Sequence, residues 1–533
     1  MSPAAEDLPE STWAPLRHPV YRAVWIASFV SFLGTWMQEV GAAWLMTSLT
    51  SSPLLIGMVQ TATTLPIVLL ALPAGALADV VDRRRLLLVM QGWMLAASAL
   101  LGVLALSGSI GAPGLLALLF AVGIGTALAA PAWQAVIPDL VDRRDLAGAL
   151  ALNGIAINSA RAIGPAVGGL VVASLGPGAA FLLNAVSFVG LILVLSRWRN
   201  PQRASLLPAE HLLGAMAAGL RYARHAPGLR AVLWRSGLFI LSNNAIWTLL
   251  PVLVRFELGG GATAYGLAVG CLGAGAVAGA LALPRVRRSA DAGLTVAIAT
   301  LVYAAAVLGL ALVRWPWAIA VFLGATGFAW LLILTSLHTA AQSALAPWVR
   351  GRGLAVYFLA FFAGMAAGSL LWGTVAEVAG GPRPALVLSA AGLVAGLAGT
   401  ARMRLPGRIP DPGPLRHPAG PPHLEPDDAG RGPVLVTVEY RVAPADAEAF
   451  GRAMQEVRRF RLRDGAFRWH LLTDPEDPER FVESFLVESW IEHLRQHERI
   501  TEADRGMEAA ARRFHRGGGP PRVTHFIARD LRH

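Results

Sequence analysis

Apolar residues in this chain come in twelve blocks separated by short polar breaks. Each block is about 20 residues long, the length at which a helix crosses a hydrocarbon core of roughly 30 Å. Blocks near 22–47, 54–78, 86–107, 114–136, 150–174 and 179–197 form one set. Blocks near 229–255, 264–284, 292–313, 316–345, 354–379 and 383–400 form a second. The pattern changes after residue 400. Proline dominates 401–433, as in an extended linker, with IPDPGPLRHPAGPPHLEP at its centre. Apolar and polar positions then alternate in VLVTVEYRV, and ADAEAFGRAMQEVRRFRLRD takes up a helical period. FRWHLLTD and RFVESFLVES read as a hairpin pair, a helix runs from Trp490 to about His515, and VTHFIAR closes the chain as a strand. This βαββαβ order is ferredoxin-like.

The pattern therefore predicts an all-α polytopic membrane protein of twelve transmembrane helices in two six-helix halves, with a C-terminal α+β ferredoxin-like domain. Its expected parts are an N-terminal half at 1–200, a cytoplasmic loop between the halves at 201–228 and a C-terminal half at 229–400. A proline-rich linker at 401–433 and a soluble domain at 434–533 complete it.

Composition agrees. Only 15% of the 533 residues are charged and the mean hydropathy is +0.53, whereas an ordinary soluble domain has roughly 25% charged residues. The net charge of +11 argues for no nucleic-acid partner, because the cations fall between apolar blocks, where a lipid bilayer protein puts them. Every one of those cations except histidine is arginine. Without lysine the chain cannot build a Walker A phosphate loop, which leaves an ion gradient as the energy source. Cys271 is the sole cysteine, so no intrachain disulfide forms. The polar start, MSPAAEDLPESTWAPLRHPVYR, does not read as a cleavable signal.

Loop charges set the orientation. The N-terminal segment and the loops after even-numbered spans hold eighteen arginines, among them Arg83, Arg84, Arg85, Arg143, Arg144, Arg350 and Arg352. The opposite loops hold three, Arg255, Arg314 and Arg383. By the positive-inside rule both termini and the C-terminal domain are expected in the cytoplasm. Pro138, Arg143 and Gly164 also recur 209 positions later as Pro347, Arg352 and Gly373. Duplicated six-helix halves are the sequence mark of a secondary transporter with its site between them. In the loop between the halves, HLLGAMAAGLRYARH puts Leu212, Met216 and Leu220 on one face, with Arg221 and Arg224 off it, as in a helix on the inner membrane surface.

The segment GALADVVDRRRLLL (75–88) resembles the signature between the second and third spans of the major facilitator superfamily, at Gly75, Leu77, Asp79, Arg83 and Arg84. Val80 and Asp82 depart from it. The longer stretch from Leu33 to Asp79, opening LGTWMQEVGAAW, is similar to that superfamily's transmembrane secretion effector branch, which is enterobactin exporter-like. The resemblance covers roughly 15–400 and implies proton-driven export from the cytoplasm. Asp79 and Arg83 lie four apart, close enough to pair at the end of span two, as a gate or simply as part of a topogenic cluster.

Several polar residues interrupt the spans. Arg161 sits mid-span, and Asn158, Arg161, Pro165 and Gly168 share one helical face. A cation there costs roughly 2.5–3.5 kcal/mol on insertion scales unless it faces a wet cavity or a counter-ion. Glu39 is the candidate partner, either as a structural ion pair or as a proton carrier whose ionisation follows its contact with arginine. Gln38, Gln60, Gln134, Asn243, Asn244, His338 and Gln342 are further candidate handles for a substrate or protons, each also explicable as an interhelical hydrogen bond. Gly164, Pro165, Gly168 and Gly169 of GPAVGG resemble the span-five antiporter signature and also suit close helix packing. GAGAVAG at 273–279 has the wrong spacing for a dinucleotide loop.

The tail resembles the antibiotic biosynthesis monooxygenase-like modules appended to some secretion effector transporters, over roughly 434–530; such modules pair, which implies a homodimer. His493 and His497 are four apart but lack a third ligand, so an exposed helix face is expected rather than a metal site. Trp469, His470 and Trp490 either line a small pocket or fill the core. The reading is a proton-gradient-driven exporter of a small amphiphilic molecule in the cytoplasmic membrane, without cofactor, metal or enzymatic activity. Its alternative is a bifunctional protein whose tail acts on the transported compound.

Overall fold

A computed structural model describes residues 13–198, 212–346, 349–406, 432–499 and 502–528. Its helices and strands fall into two compact units.

The first unit holds 1–208, 234–338 and 358–403. The expected spans are all present: among the described residues twelve helices are long and apolar enough to cross a membrane. The first half supplies α1 (Pro19–Leu49), α2 (Pro53–Val80), α3 (Arg83–Leu106), α4 (Ala112–Val136), α5 (Leu146–Leu175) and α6 (Pro177–Arg197). A short helix between the halves, α7 (Leu212–His225), belongs to the second unit. The second half supplies α8 (Pro227–Val252), α9 (Ala262–Ser289), α10 (Ala292–Leu312), α11 (Pro316–Ser343), α12 (Arg350–Val378) and α13 (Pro382–Gly399). Helix α8 runs on through one π-helical turn, Leu253–Glu257, after the interior Pro251. Large side chains such as Leu170, Val186 and Leu281 stand more than 60% exposed, which suits helices facing lipid rather than water.

Glycine decides where helices meet. A Cβ at Gly164 would lie 2.6 Å from Trp36 Cβ, and one at Gly168 would lie 2.8 Å from Met37 Cα, so α5 presses on α1 there. Gly169 faces Gly266 of α9 with no room for any side chain. On α2, a Cβ at Gly57 would sit 2.8 Å from Ser369 O of α12, and one at Gly373 would sit 3.0 Å from Leu54 Cα. Gly57 and Gly266 are again 209 apart. The repeat legible as prolines and arginines thus returns as two matched helix contacts, α5 with α9 and α2 with α12.

The second unit holds 209–233, 339–357 and 404–533. Its sheet has β1 (Val434–Arg441), β2 (Phe467–Thr473), β3 (Arg480–Val487) and β4 (Arg522–Ile527). The strands are antiparallel and ordered β2-β3-β1-β4, with α14 (Ala447–Arg463), α15 (Trp490–Arg499) and α16 (Glu502–Arg512). The helix expected from Trp490 to about His515 is described over these last two stretches, with residues 500 and 501 outside those described. Alternate residues of β1 and β3 bury against the helices: Val438, Tyr440 and Phe481 join Phe450, Met454 and Val457 of α14, while Val436 and Phe485 join Trp490 of α15.

Candidate functional site

Arg161, in the middle of α5, lines a small cavity of about 20 Å³. Pro165, Trp247, Val269, Leu272, Tyr303, Thr326 and Trp330 are among its lining residues. The guanidinium carbon lies 5.7 Å from the Trp36 ring centroid and 5.6 Å from that of Trp330. Trp247 bridges these indoles, 6.4 Å from Trp36 and 6.1 Å from Trp330. A desolvated cation on an indole face gains about 2 kcal/mol, which helps hold arginine at a depth where it is otherwise unfavourable. The planar guanidinium can lie against ring faces while its N–H groups point outward along its edge.

Glycines again build the walls. Gly275 and Gly327 have no room for a Cβ, because α9 and α11 cross there backbone to backbone. GAGAVAG, useless as a nucleotide loop, is the close approach that shapes this cavity.

The other candidate residues are dispersed. Glu39, on α1, lies within electrostatic reach of Arg161, as does His338. The carboxylate is also within electrostatic reach of Tyr265 of α9, which belongs to a second aromatic group. That group is a stack of Trp44 on Tyr265 (5.5 Å between centroids), with Arg255 5.3 Å from Trp44. His338 packs on Phe358 at 5.6 Å. Gln38 is buried and accepts a 2.9 Å bond from Asn184 Nδ2. Asn244 donates to Met365 O at 2.9 Å and to Ser369 Oγ, fastening α8 to α12. Asn243 is buried and Gln60 half-buried. Gln134, Asn158 and Gln342 are exposed, and Asn158 Nδ2 bonds Gly154 O at 2.8 Å. Of the polar candidates, Arg161 alone is on the cavity lining among the described residues. Trp330, Tyr303 and Thr326 were not singled out from sequence; Trp330 carries a signal in hindsight, an indole deep in a span, away from the interface that usually claims it.

The charged turn after α2 differs from expectation. Val81 is extended and Asp82 caps α3, accepting Arg85 N at 2.8 Å. Asp79 and Arg83 therefore belong to different helices, and the four-residue spacing is not a helical pairing. Arg83 meets Asp139 instead, at 3.4 Å, while Arg84 donates to Leu195 O at 2.9 Å and to Ser196 O. Gly75 lies in the last turns of α2, and the Asp79 side chain is outside the described residues. At the far end of α2, Glu377 of α12 accepts bonds from Ser52 Oγ at 2.6 Å and Leu54 N at 3.2 Å.

In the C-terminal domain His493 is 3% exposed, not on an open helix face. Its ring lies 4.7 Å from His525 and 5.3 Å from Trp490, while the His497 side chain is outside those described. Trp490 is core, Trp469 donates to Glu483 at 2.9 Å, and His470 is exposed. Among the described residues no cluster of three His, Cys, Asp or Glu has a metal-holding arrangement.

The sequence profile of the transmembrane secretion effector family matches residues 10–532. The chain is 30% identical over 268 residues to the staphyloferrin A transporter of Staphylococcus aureus, covering 49% of this chain and 66% of that one. It is 28% identical over 289 residues to the enterobactin exporter EntS of Shigella boydii, covering 53% and 68%. The aligned region thus spans about two thirds of these relatives. Among solved structures, a bacterial homologue of the human lysosomal transporter Spinster superposes with a TM-score of 0.58 at 15% identity, over 73% of this chain and 98% of that one. A D-xylose–proton symporter superposes with a TM-score of 0.55 at 14% identity, over 73% and 98%. At such identities these two likenesses concern the fold alone.

Proposed function

This chain belongs to the transmembrane secretion effector family, and from that premise we propose that it exports a small amphiphilic molecule across the cytoplasmic membrane. The proton gradient drives it, by alternating access. Arg161 carries the reading: one cation set among indoles on the wall of an otherwise apolar cavity suits a substrate with an apolar body and an anionic group. The names of the relatives, a staphyloferrin A transporter and an enterobactin exporter, agree with a siderophore or similar metabolite.

Glu39 is the proton carrier of the proposal. Export on an inward proton gradient has Glu39 take its proton from the outer side in the substrate-free carrier and give it up to the cytoplasm before the substrate binds beside Arg161, whose charge favours the carboxylate. The eighteen-to-three arginine asymmetry supports cytoplasmic termini and a cytoplasmic C-terminal domain.

The soluble domain supports a homodimer. Phe467, Leu486, Leu435 and Phe526 form one row across its four strands in register, on the sheet face away from α14. Phe467 and Phe526 are 39% and 54% exposed. Replacing Phe526 with Arg is expected to halve the mass of detergent-solubilised particles measured by light scattering; an unchanged mass would remove the sheet from the interface.

The test of transport is proton flux in proteoliposomes under an imposed pH gradient, with lipophilic drugs and catecholates offered to wild type, Arg161→Ala and Glu39→Gln. Substrate-dependent flux in wild type that both variants lose is the expected result. Full flux in both variants would reduce the pair to structure.

A further inference from the structure

The C-terminal domain grips two segments that connect the spans. Arg463, the last residue of α14, is 15% exposed and makes charge-assisted bonds to Asp464 at 2.7 and 2.8 Å and to Asp504 at 2.7 Å. These bonds use the edge of the guanidinium and hold its plane in one orientation. Its face lies over the Tyr222 ring of α7, 5.7 Å from the centroid. Tyr222 is itself 4% exposed, and its hydroxyl donates to Ala344 O at 3.1 Å while accepting from Ala346 N at 3.3 Å. One side chain thus joins the soluble domain, the helix between the halves and the turn that follows α11.

Neighbouring residues reinforce that junction. Arg221 pairs with Glu492 of α15 at 3.9 Å. A Cβ at Gly219 would lie 3.1 Å from Arg352 Cβ, so α7 also packs on the first turn of α12. Tyr222, Ala223, Ala226 and Leu229 bury together with Leu345 and Val349. The buried face of α7 is therefore the Tyr222 side; Leu220, expected on the apolar face, is 64% exposed. Leu212 and Met216 have side chains outside the described residues.

We propose that the C-terminal domain is a built-in brake on transport, acting through Arg463 on Tyr222 to hold the segment between α11 and α12. This rests on the transporter reading given above. Helices α11 and α12 flank that segment, so any change in their relative tilt has to move it. A domain fastened to it through a buried aromatic ring opposes the movement, and loosening the ring speeds the cycle. The chemistry fits a contact that can be made and broken. A cation on a ring face is weaker and less directional than the carboxylate bonds that Arg463 keeps within its own domain, so the junction yields before the domain does.

The test uses the full chain with Cys271→Ser. Tyr222→Phe keeps the ring under Arg463 but removes the bonds to 344 and 346, and hydrogen exchange at the Ala346 amide is expected to quicken at least tenfold. Tyr222→Leu also removes the ring, and the transport rate in proteoliposomes is expected to rise at least threefold. A second pair, Arg221→Cys with Glu492→Cys, is joined by a short bismaleimide; cross-linked chains are expected to transport at least fivefold more slowly than the same chains left unlinked. Failure of the pair to cross-link would overturn the docking. Cross-linked chains running at full rate, or Tyr222→Leu leaving exchange and rate unchanged, would overturn the brake. Should wild type move no substrate, exchange and cross-linking still report the docking, and the transport reading alone would fall.

Discussion

Three half-buried or buried arginines show two ways a protein keeps a cation out of water. In the C-terminal domain, Arg461 meets Glu483 at 3.3 Å and Glu508 at 2.6 Å. Burial works against its charge, but the two carboxylates outweigh it and hold the guanidinium above its ordinary pKa. Arg463 is held in the same way by Asp464 and Asp504. In the membrane-spanning unit, Arg161 has indole rings of Trp36 and Trp330 about it and a cavity at its side. Carboxylates clasping a guanidinium bond its edge and fix its place; indoles stabilise it through their faces. The first arrangement is a joint, and the second is the binding surface of the proposed function.

Breaking the joint carries the largest expected effect. Glu483 is fully buried and also receives Trp469 Nε1 and, at 3.5 Å, the Tyr440 hydroxyl. Removing Arg461 strands that charge, and breaking a buried pair on one side costs about 3–5 kcal/mol. Arg461→Leu is therefore expected to unfold the C-terminal domain at markedly lower urea in the full chain, seen by cleavage of its exposed arginines with trypsin. An unchanged midpoint would mean that the carboxylates are neutral or hydrated.

Arg161→Leu is the contrasting variant. Here an apolar residue replaces a cation that insertion scales penalise by about 2.5–3.5 kcal/mol. The bundle's thermal stability in detergent is expected to hold or rise while transport falls at least tenfold. A protein that loses both would show Arg161 to be a joint after all, and the contrast between the two units would collapse.

Much of this contrast was legible in the sequence. Block length gave the spans, and the 209-residue offset gave the duplication. Arg161 declared itself as the one arginine in the middle of an apolar span. What stayed hidden depends on contacts between helices far apart in the chain. Nothing local marks Tyr303 and Thr326 as cavity walls, since a helix face reads alike toward lipid, toward a neighbouring helix or toward a ligand. Asp79 and Arg83 misled because spacing implies pairing only within one helix, and the extended Val81 breaks the helix between them. The face of α7 misled for a related reason: its leucines mark one apolar side, but a tyrosine with two backbone partners decides which side is buried.

A smaller effect is expected at Glu377, whose carboxylate caps the start of α2 from α12 beside the close contact of Gly57 with Gly373. It is exposed, so water replaces part of what it gives; bonds to charged groups contribute about 1.5–3 kcal/mol when shielded and less here. In the proposed topology this is the outer end. Glu377→Ala is expected to let a membrane-impermeant maleimide reach Ala276→Cys, on the cavity wall, a few times faster from outside. Equal labelling would leave the glycine contact as the whole closure.

The smallest effect concerns the joint-rich domain under acid. His525 faces the His493 and Trp490 rings at 4.7 and 5.5 Å, and burial pushes its imidazole below the ordinary histidine pKa. The folded domain then keeps His525 neutral at a pH where the unfolded chain, near 6.5, has begun to take up a proton. Because the unfolded state binds more protons, stability falls as pH drops below about 6.5 and is fully present above it. Arg461 and Arg463 keep their charge across that range, so any contribution from the clasps comes from their carboxylates. The urea midpoint of the domain in the full chain is expected to fall between pH 7 and 5.5, and to fall less in His525→Phe. An equal fall in both would move the acid sensitivity away from His525 and onto the carboxylates, making the joint rather than the imidazole pair the domain's weak point.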